Sequence, residues 1–177
     1  MSNYRHLIVV DLSSYGSALA LINELCDDEG VKVFEVSPMG SGALLIMMTK
    51  EITAAAIVKS QIQSQMNPSV LNICLIENAH DELLKTYLSQ TQVKVEKNII
   101  VIECAFVSEA IVVANQLLSD SVNLLDLRVV RTFPSNTIIT ATATQAEKLL
   151  ESVKGKANTK YNLIVNPQLV LKSYFEI

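Results

Sequence analysis

The sequence predicts an α/β protein of the α+β kind, built as two tandem β-α-β-β-α-β-α repeats, each a sheet with helices packed on it. Three observations carry this reading. Apolar runs of strand length alternate with stretches of helical spacing along all 177 residues. The stretch Val36-Ser37-Pro38-Met39-Gly40-Ser41-Gly42-Ala43-Leu44-Leu45-Ile46-Met47-Met48 takes one strand through a Gly-Ser-Gly elbow into a wholly apolar strand. About ninety residues later, Val130-Arg131-Thr132-Phe133-Pro134-Ser135-Asn136-Thr137-Ile138-Ile139 does something similar.

Taken in order, His6 to Leu12 is a short apolar run and the first strand. Ser13 and Ser14 can cap a helix whose Ala18, Leu21, Ile22 and Leu25 fall at core-facing spacing. Asp27, Asp28 and Glu29 oppose the macrodipole at a helix C-terminus, so the helix is expected to stop by Cys26, with the carboxylates in a solvated loop before Gly30. Val31 to Val36 is the second strand. Pro38, Gly40 and Gly42 forbid a helix or central strand at the elbow and permit a tight, positive-φ turn. Ala43 to Thr49 has apolar side chains on both faces and so reads as a strand covered on both sides. A second helix begins at Lys50 or Glu51, carries Ile52, Ala55, Ala56, Val58 and Ile62, and ends at Asn67-Pro68-Ser69. Val70 to Ile76 is the fourth strand, Asn78 to Gln90 a short third helix, and the polar stretch Thr91 to Lys97 a linker. Domains are therefore expected over residues 1–92 and 93–177.

From Lys97 the pattern restarts. Asn98 to Cys104 matches His6 to Leu12, with Glu103 where Asp11 stood. At an offset of 92, Ala18, Asn23 and Leu25 fall on Ala110, Asn115 and Leu117. The elbow returns at an offset of 94, with Ser41 on Ser135 and Ala43 to Ile46 on Thr137 to Thr140. A helix over Gln145 to Lys156 follows, and the end repeats at an offset of 87, Leu83 to Leu88 against Val170 to Phe175. Small, consistent offsets with changes confined to loops mark a duplication. Four strands and two main helices per copy give an antiparallel or mixed sheet with helices on one face, a split βαβ, ferredoxin-like arrangement.

Composition narrows the function. Half the residues are apolar, and mean hydropathy is +0.33, but aromatics make up only 5% and Trp is absent, so the core is aliphatic. A domain this apolar is expected to bury surface against copies of itself. The net charge of −4 and the lack of a long basic run argue against a nucleic-acid surface. Cys26, Cys74 and Cys104 stand far apart among apolar residues with no CxxC or Cys/His spacing, and read as reduced small hydrophobes rather than a disulfide or zinc site. The N-terminus runs straight into a strand, and no apolar stretch reaches the length of a membrane span, so a cytoplasmic protein that does not enter a membrane is expected.

No nucleophile elbow, Walker loop, dinucleotide fingerprint or HExxH motif is present, so neither an enzyme nor a cofactor or metal is expected. His80 beside Asp81 and Glu82 suggests acid–base or metal chemistry on one reading; a structural His at a capped helix start is the better one. His6 lies at a strand entrance. Asp27-Asp28-Glu29 lacks the alternating spacing of a calcium loop. Thr140, Thr142 and Thr144 share one strand face, expected to be a wet face of the sheet.

This order of elements, with its elbow, resembles the bacterial microcompartment (BMC) shell-protein domain, and two in tandem resemble the tandem-domain, trimer-forming shell proteins. Asp11 and Glu103 occupy the family's acidic position at the end of the first strand, and Asn23 and Asn115 the position of its helix Asp. Gly40-Ser41-Gly42 reproduces the family's strand-2 to strand-3 loop. Glu77-Asn78-Ala79-His80-Asp81-Glu82 keeps the His and the helix of the family's Pro-Arg-Pro-His stretch but neither proline, and Asn166-Pro167-Gln168-Leu169 keeps one Pro and no His. The second elbow, Pro134-Ser135-Asn136, lacks both glycines. The family's edge Lys, where shell hexamers meet, falls on Asp27 and Ser119, and facing Asp27 loops would repel rather than tile.

The resemblance implies a non-enzymatic structural protein: a homotrimeric, pseudohexameric ring with a small central pore. Gly40, Ser41, Gly42, Pro134, Ser135 and Asn136 would line that pore, with backbone N–H groups that suit small polar or anionic metabolites. Its partners would be itself and other shell proteins, within a microcompartment of the cytoplasm. The residues alone also admit a simple tight turn at the elbow. The alternative function is a soluble ferredoxin-like ligand-binding or regulatory module.

Overall fold

β1 (His6–Leu12) is apolar on both faces, and it lies in the middle of a sheet. In the computed structural model, which describes residues 4–25, 30–65, 68–130, 136–154 and 159–175, it pairs antiparallel with β3 (Gly42–Thr49) from His6↔Thr49 to Leu12↔Ala43. On its other side it pairs antiparallel with β4 (Val70–Ile76). β2 (Val31–Met39) pairs only with β3, so the order is β2-β3-β1-β4 with β2 at an edge. The edge position explains why β2 continues through Pro38, past the Val36 expected from sequence. An edge strand has one side on which a missing N–H leaves no ladder bond unmade.

Two helices cover one face. Ser14 caps α1 (Tyr15–Leu25): its Oγ accepts from the Ser17 N–H at 3.1 Å. Ala18, Leu21 and Leu25 of α1, with Ala55, Val58 and Ile62 of α2 (Ile52–Gln65), pack on Ile8, Val10 and Leu12 of β1 and on Ala43, Leu45 and Met47 of β3. The alternation along the strands meets the three-to-four spacing along the helices, so each element presents one apolar face to the same core. Leu7, Val9, Leu44, Ile46 and Met48 on the opposite face are buried too, as the continuous apolar runs imply. Each such side chain is worth roughly 1.5–3 kcal/mol of transfer free energy.

The second copy repeats the plan. β5 (Asn98–Cys104), β6 (Asn123–Val130), β7 (Asn136–Ala143) and β8 (Thr159–Val165) form a wholly antiparallel sheet in the order β6-β7-β5-β8. α4 (Val107–Ser119) and α5 (Ala146–Val153) take the places of α1 and α2 in the element order. The register slips between Val33 and Glu35 in β2, and between Leu124 and Asp126 in β6. A bulge retained at the same point of both copies belongs to the fold.

The described chain forms two compact units. The first runs to Ala79 and takes in Phe106–Ser108; the second comprises His80–Ala105, Glu109–Val130 and the chain from Asn136. α3 (Asp81–Tyr87), which the repeat assigns to the first copy, packs in the second unit along β6 and buries Leu83 and Thr86 there. α6 (Leu169–Phe175) ends the described chain and buries none of its residues.

Two sequence expectations need correction or refinement. The threonine face of β7 is not wet within the strand: Thr140 and Thr142 are buried, and only Thr144, just past the end of β7, is exposed. The Thr142 hydroxyl donates to the Asn98 carbonyl at 2.7 Å and accepts from the Glu96 N–H at 2.9 Å, so hydrogen bonds within the protein replace water. α3 begins at Asp81 rather than Asn78 because Asn78 lies at φ 49° and His80 is extended.

Candidate site at the Gly-Ser-Gly elbow

The elbow is a two-residue hairpin connection. Met39↔Gly42 is the last pair of the β2–β3 ladder, and Gly40 and Ser41 form the exposed tip. Gly40 sits at φ 59°, the positive value that tight hairpin turns require at their first central residue. Gly42 is glycine for another reason. A Cβ there would run into the carbonyl oxygen of Leu12 on β1, well inside van der Waals contact. The end of β1 thus presses on the base of the elbow, and the elbow is held from below while its tip stays free.

No charged side chain occurs between Ser37 and Met48, so the tip offers polar groups of small size: the Ser41 hydroxyl and the amides of Gly40 and Ser41 beyond the last ladder pair. Further back on β2 the buried Ser37 hydroxyl donates to Glu35 Oε1 at 2.8 Å. Such a tip can donate hydrogen bonds to a small polar or anionic group without a fixed countercharge. Of the second elbow, Pro134 and Ser135 lie outside the described residues, and Asn136 opens β7 opposite Val130.

The acidic and polar positions separate sharply. Asp11 is buried, and its carboxylate accepts from the Val107 N–H at 3.2 Å and the Ser108 N–H at 3.0 Å. Burial pushes its pKa up, against the opposing pull of Ser108 and the Val107 amide. Glu103, the matching residue of the second copy, is exposed. Asn115 accepts from the His80 N–H at 2.8 Å, whereas Asn23 is exposed. Sequence reasoning placed these four residues on one pattern but missed the partners of Asp11 and Asn115. The available signal was a lone acid inside an apolar strand, which needs donors where it is buried, as Asp11 is, and none where it reaches water, as Glu103 does.

Both histidines accept hydrogen bonds from the backbone. His80 is the N-cap of α3, and its Nδ1 accepts from the Glu82 N–H at 3.2 Å. His6 Nδ1 accepts from the Asn78 N–H at 3.3 Å. Burial pushes the Cys104 thiol up to about 12, with Glu109 adding to the shift, and Cys74 is half-buried and unbridged. Cys26 and the acidic run Asp27 to Glu29 lie outside the described residues. Among the described residues, no group of three His, Cys, Asp or Glu side chains is placed to hold a metal ion. A shallow, open hollow beside α1 and α2 is bordered by Glu24, Leu25, Val31, Val58 and Gln61. No described helix is long and apolar enough to cross a membrane.

The fold has a solved counterpart. A microcompartments protein from Desulfitobacterium hafniense DCB superimposes with a TM-score of 0.76 over 96% of this chain and 98% of that one, at 17% identity. A putative glycine cleavage system transcriptional repressor aligns at a TM-score of 0.31 and 10% identity, over 93% of this chain and 100% of that one. A chlorite dismutase variant from Candidatus Nitrospira defluvii aligns at 0.32 and 8%, over 100% and 97%. No protein-family model and no curated protein matches the chain. The shared fold is thus that of the microcompartment protein: two four-stranded antiparallel sheets in repeated β-α-β units.

Proposed function

We propose that the protein is a non-enzymatic, tandem-domain component of a bacterial microcompartment shell, acting as a homotrimeric, pseudohexameric ring. The observation that carries this is the end-to-end fold match to a microcompartment protein, with both chains covered almost completely. The boundary near residue 92 and the cytoplasmic setting belong to the same reading. In the ring, Gly40, Ser41 and Gly42 of three chains alternate around a central pore with Pro134, Ser135 and Asn136. The supporting geometry is that of the first elbow: an exposed, uncharged tip over a base locked by Leu12. Such a pore passes small polar or anionic metabolites without catalysis, selecting by width and by backbone donors.

Flat tiling with other shell proteins asks for complementary edges. Ser119, at one of the two positions of the family's edge Lys, is exposed and donates its hydroxyl to the Asn115 carbonyl at 3.0 Å; Asp27 lies outside the described residues. Neither position carries a cation, so docking to a shell would rely on a partner's positive edge rather than on copies of this chain alone.

Native mass spectrometry at micromolar concentration tests the ring. The expected species is three times 19.4 kDa. A monomer or dimer would remove the pore, and a ligand-dependent rise in Tm would then favour a small-molecule-binding module of the same fold.

A further inference from the structure

The two copies furnish one place differently, at the end of each sheet where β1 opens opposite Thr49 and β5 opposite Ala143. In the first copy this is the end away from the elbow. In the second copy Glu96 stands just before β5, and two side chains hold its carboxylate. Asn123 Nδ2 donates to Oε1 at 2.8 Å, and the Thr144 hydroxyl donates to Oε2. Asn123 opens β6 and Thr144 follows β7, so each side of the β6–β7 ladder supplies a donor for one oxygen.

The ladder registers fix the counterparts in the first copy. Lys32 pairs with Met48 as Asn123 pairs with Thr142, and Lys50 follows β3 as Thr144 follows β7. Tyr4 stands at the same place before β1 as Glu96 before β5. Both donors are now ammonium groups, and a ring takes the place of the carboxylate. Lys32 Nζ lies 4.4 Å and Lys50 Nζ 5.2 Å from the centroid of the buried Tyr4 ring. Such contacts draw a cation to the ring but leave its charge uncancelled. Both lysines are exposed, and Arg5, next in the chain to Tyr4, is a third exposed cation. Among the described residues no carboxylate forms an ion pair with Lys32 or Lys50. Two like charges gathered at one ring repel, and an anion shared between them relieves the repulsion. The first copy thus keeps both donors of a carboxylate clamp, each strengthened by a full charge, without the carboxylate.

We propose that Lys32 and Lys50 bind the carboxylate of a small organic acid, one ammonium to each oxygen, with Tyr4 as the platform that gathers the two side chains. The class of ligand follows from the second copy, where the equivalent positions hold a carboxylate through both of its oxygens. The site lies wholly within the first unit and does not depend on the ring.

Lysine methyl NMR tests it. Reductive methylation with isotope-labelled formaldehyde marks the lysines and keeps their charge. The signals of Lys32 and Lys50 are identified by their loss in Lys32→Gln and Lys50→Gln. Potassium succinate, compared with potassium chloride at equal ionic strength, should shift both signals along one saturable curve. Each variant should weaken the binding seen at the remaining lysine by about tenfold, through loss of one charge-assisted hydrogen bond. Tyr4→Phe keeps the ring and should bind as the wild type does. Tyr4→Glu should abolish the response, because the chain then supplies the carboxylate itself, as Glu96 does in the second copy. If Tyr4→Glu fails to fold, the variants of the two exposed lysines decide. Shifts that grow alike with either salt, or that persist unchanged at the remaining lysine of each variant, mean that the lysines only cover the ring, and overturn the site. The mass of the assembly is indifferent to these outcomes, so the site and the ring can fail separately.

Discussion

Gly42 and Ser41 are neighbours with opposite tolerances. Gly42 has backbone pressed against it, because the Leu12 carbonyl occupies the space a side chain needs. Gly42→Ala must displace either β1 or the hairpin and is expected to cost about 1–3 kcal/mol in chemical unfolding. Ser41 is at the exposed tip, so Ser41→Trp should leave both stability, to within about 0.5 kcal/mol, and the assembly intact. Aggregation of Ser41→Trp would mean that the tip is covered by protein and is no pore lining. Asp11 gives a prediction whose sign is set by its raised pKa. The folded protein holds the proton more tightly than the unfolded chain does. The carboxyl's contribution to stability is therefore most favourable below its ordinary value of 3.8 and falls as pH rises from there through the folded pKa, after which it is constant. Asp11→Asn has no such titration, so the stability of the wild type relative to this variant should decline over that window. A flat difference between pH 3 and pH 7, measured by urea unfolding, would show that hydrogen bonds to Val107 and Ser108 balance the burial.

At the scale of elements, the strands were legible because apolar residues at successive positions cannot face water on either side of a sheet. β4 has the bounds expected, and β1 and β5 match as the duplication requires. The parts that were not legible depend on contacts distant in sequence. β2 outruns its expected end because it is an edge, and edge position is a property of the sheet order. The burial of Thr142 depends on Glu96 and Asn98 across the ladder. α3 shows both sides of this. Its helical character was readable, but its start is set by Asn78 at positive φ and by His80, whose imidazole caps the Glu82 N–H. His80→Ala removes that acceptor and is expected to cost about 0.5–2 kcal/mol, whereas His80→Asn should retain most of the stability. Equal losses in the two variants, read from urea midpoints, would place the role of His80 in packing rather than in the cap. The elbow was visible as a Gly-Ser-Gly string, yet the reason for its second glycine was not, because Leu12 is thirty residues away.

For the whole molecule, a duplicated chain need not use its two copies alike. Asp11 and Asn115 are engaged within the compact units, while Glu103, Asn23 and the apolar residues of α6 are left exposed. An isolated chain therefore presents Leu169, Val170, Tyr174, Tyr15 and Leu19 to water, more large apolar surface in α1 and α6 than a monomer has reason to keep. If copies cover that surface, association must add to folding stability by mass action. For a trimer that dissociates as it unfolds, each tenfold rise in protein concentration contributes about 1 kcal/mol per chain, which for a domain of this size moves Tm upward by about 2–4 °C. Calorimetry across a hundredfold range of concentration should therefore show a steady upward drift. A Tm that does not move with concentration, in a sample that native mass spectrometry finds trimeric, would mean that the chains unfold without first separating. The association between chains would then be stronger than the folding of either unit.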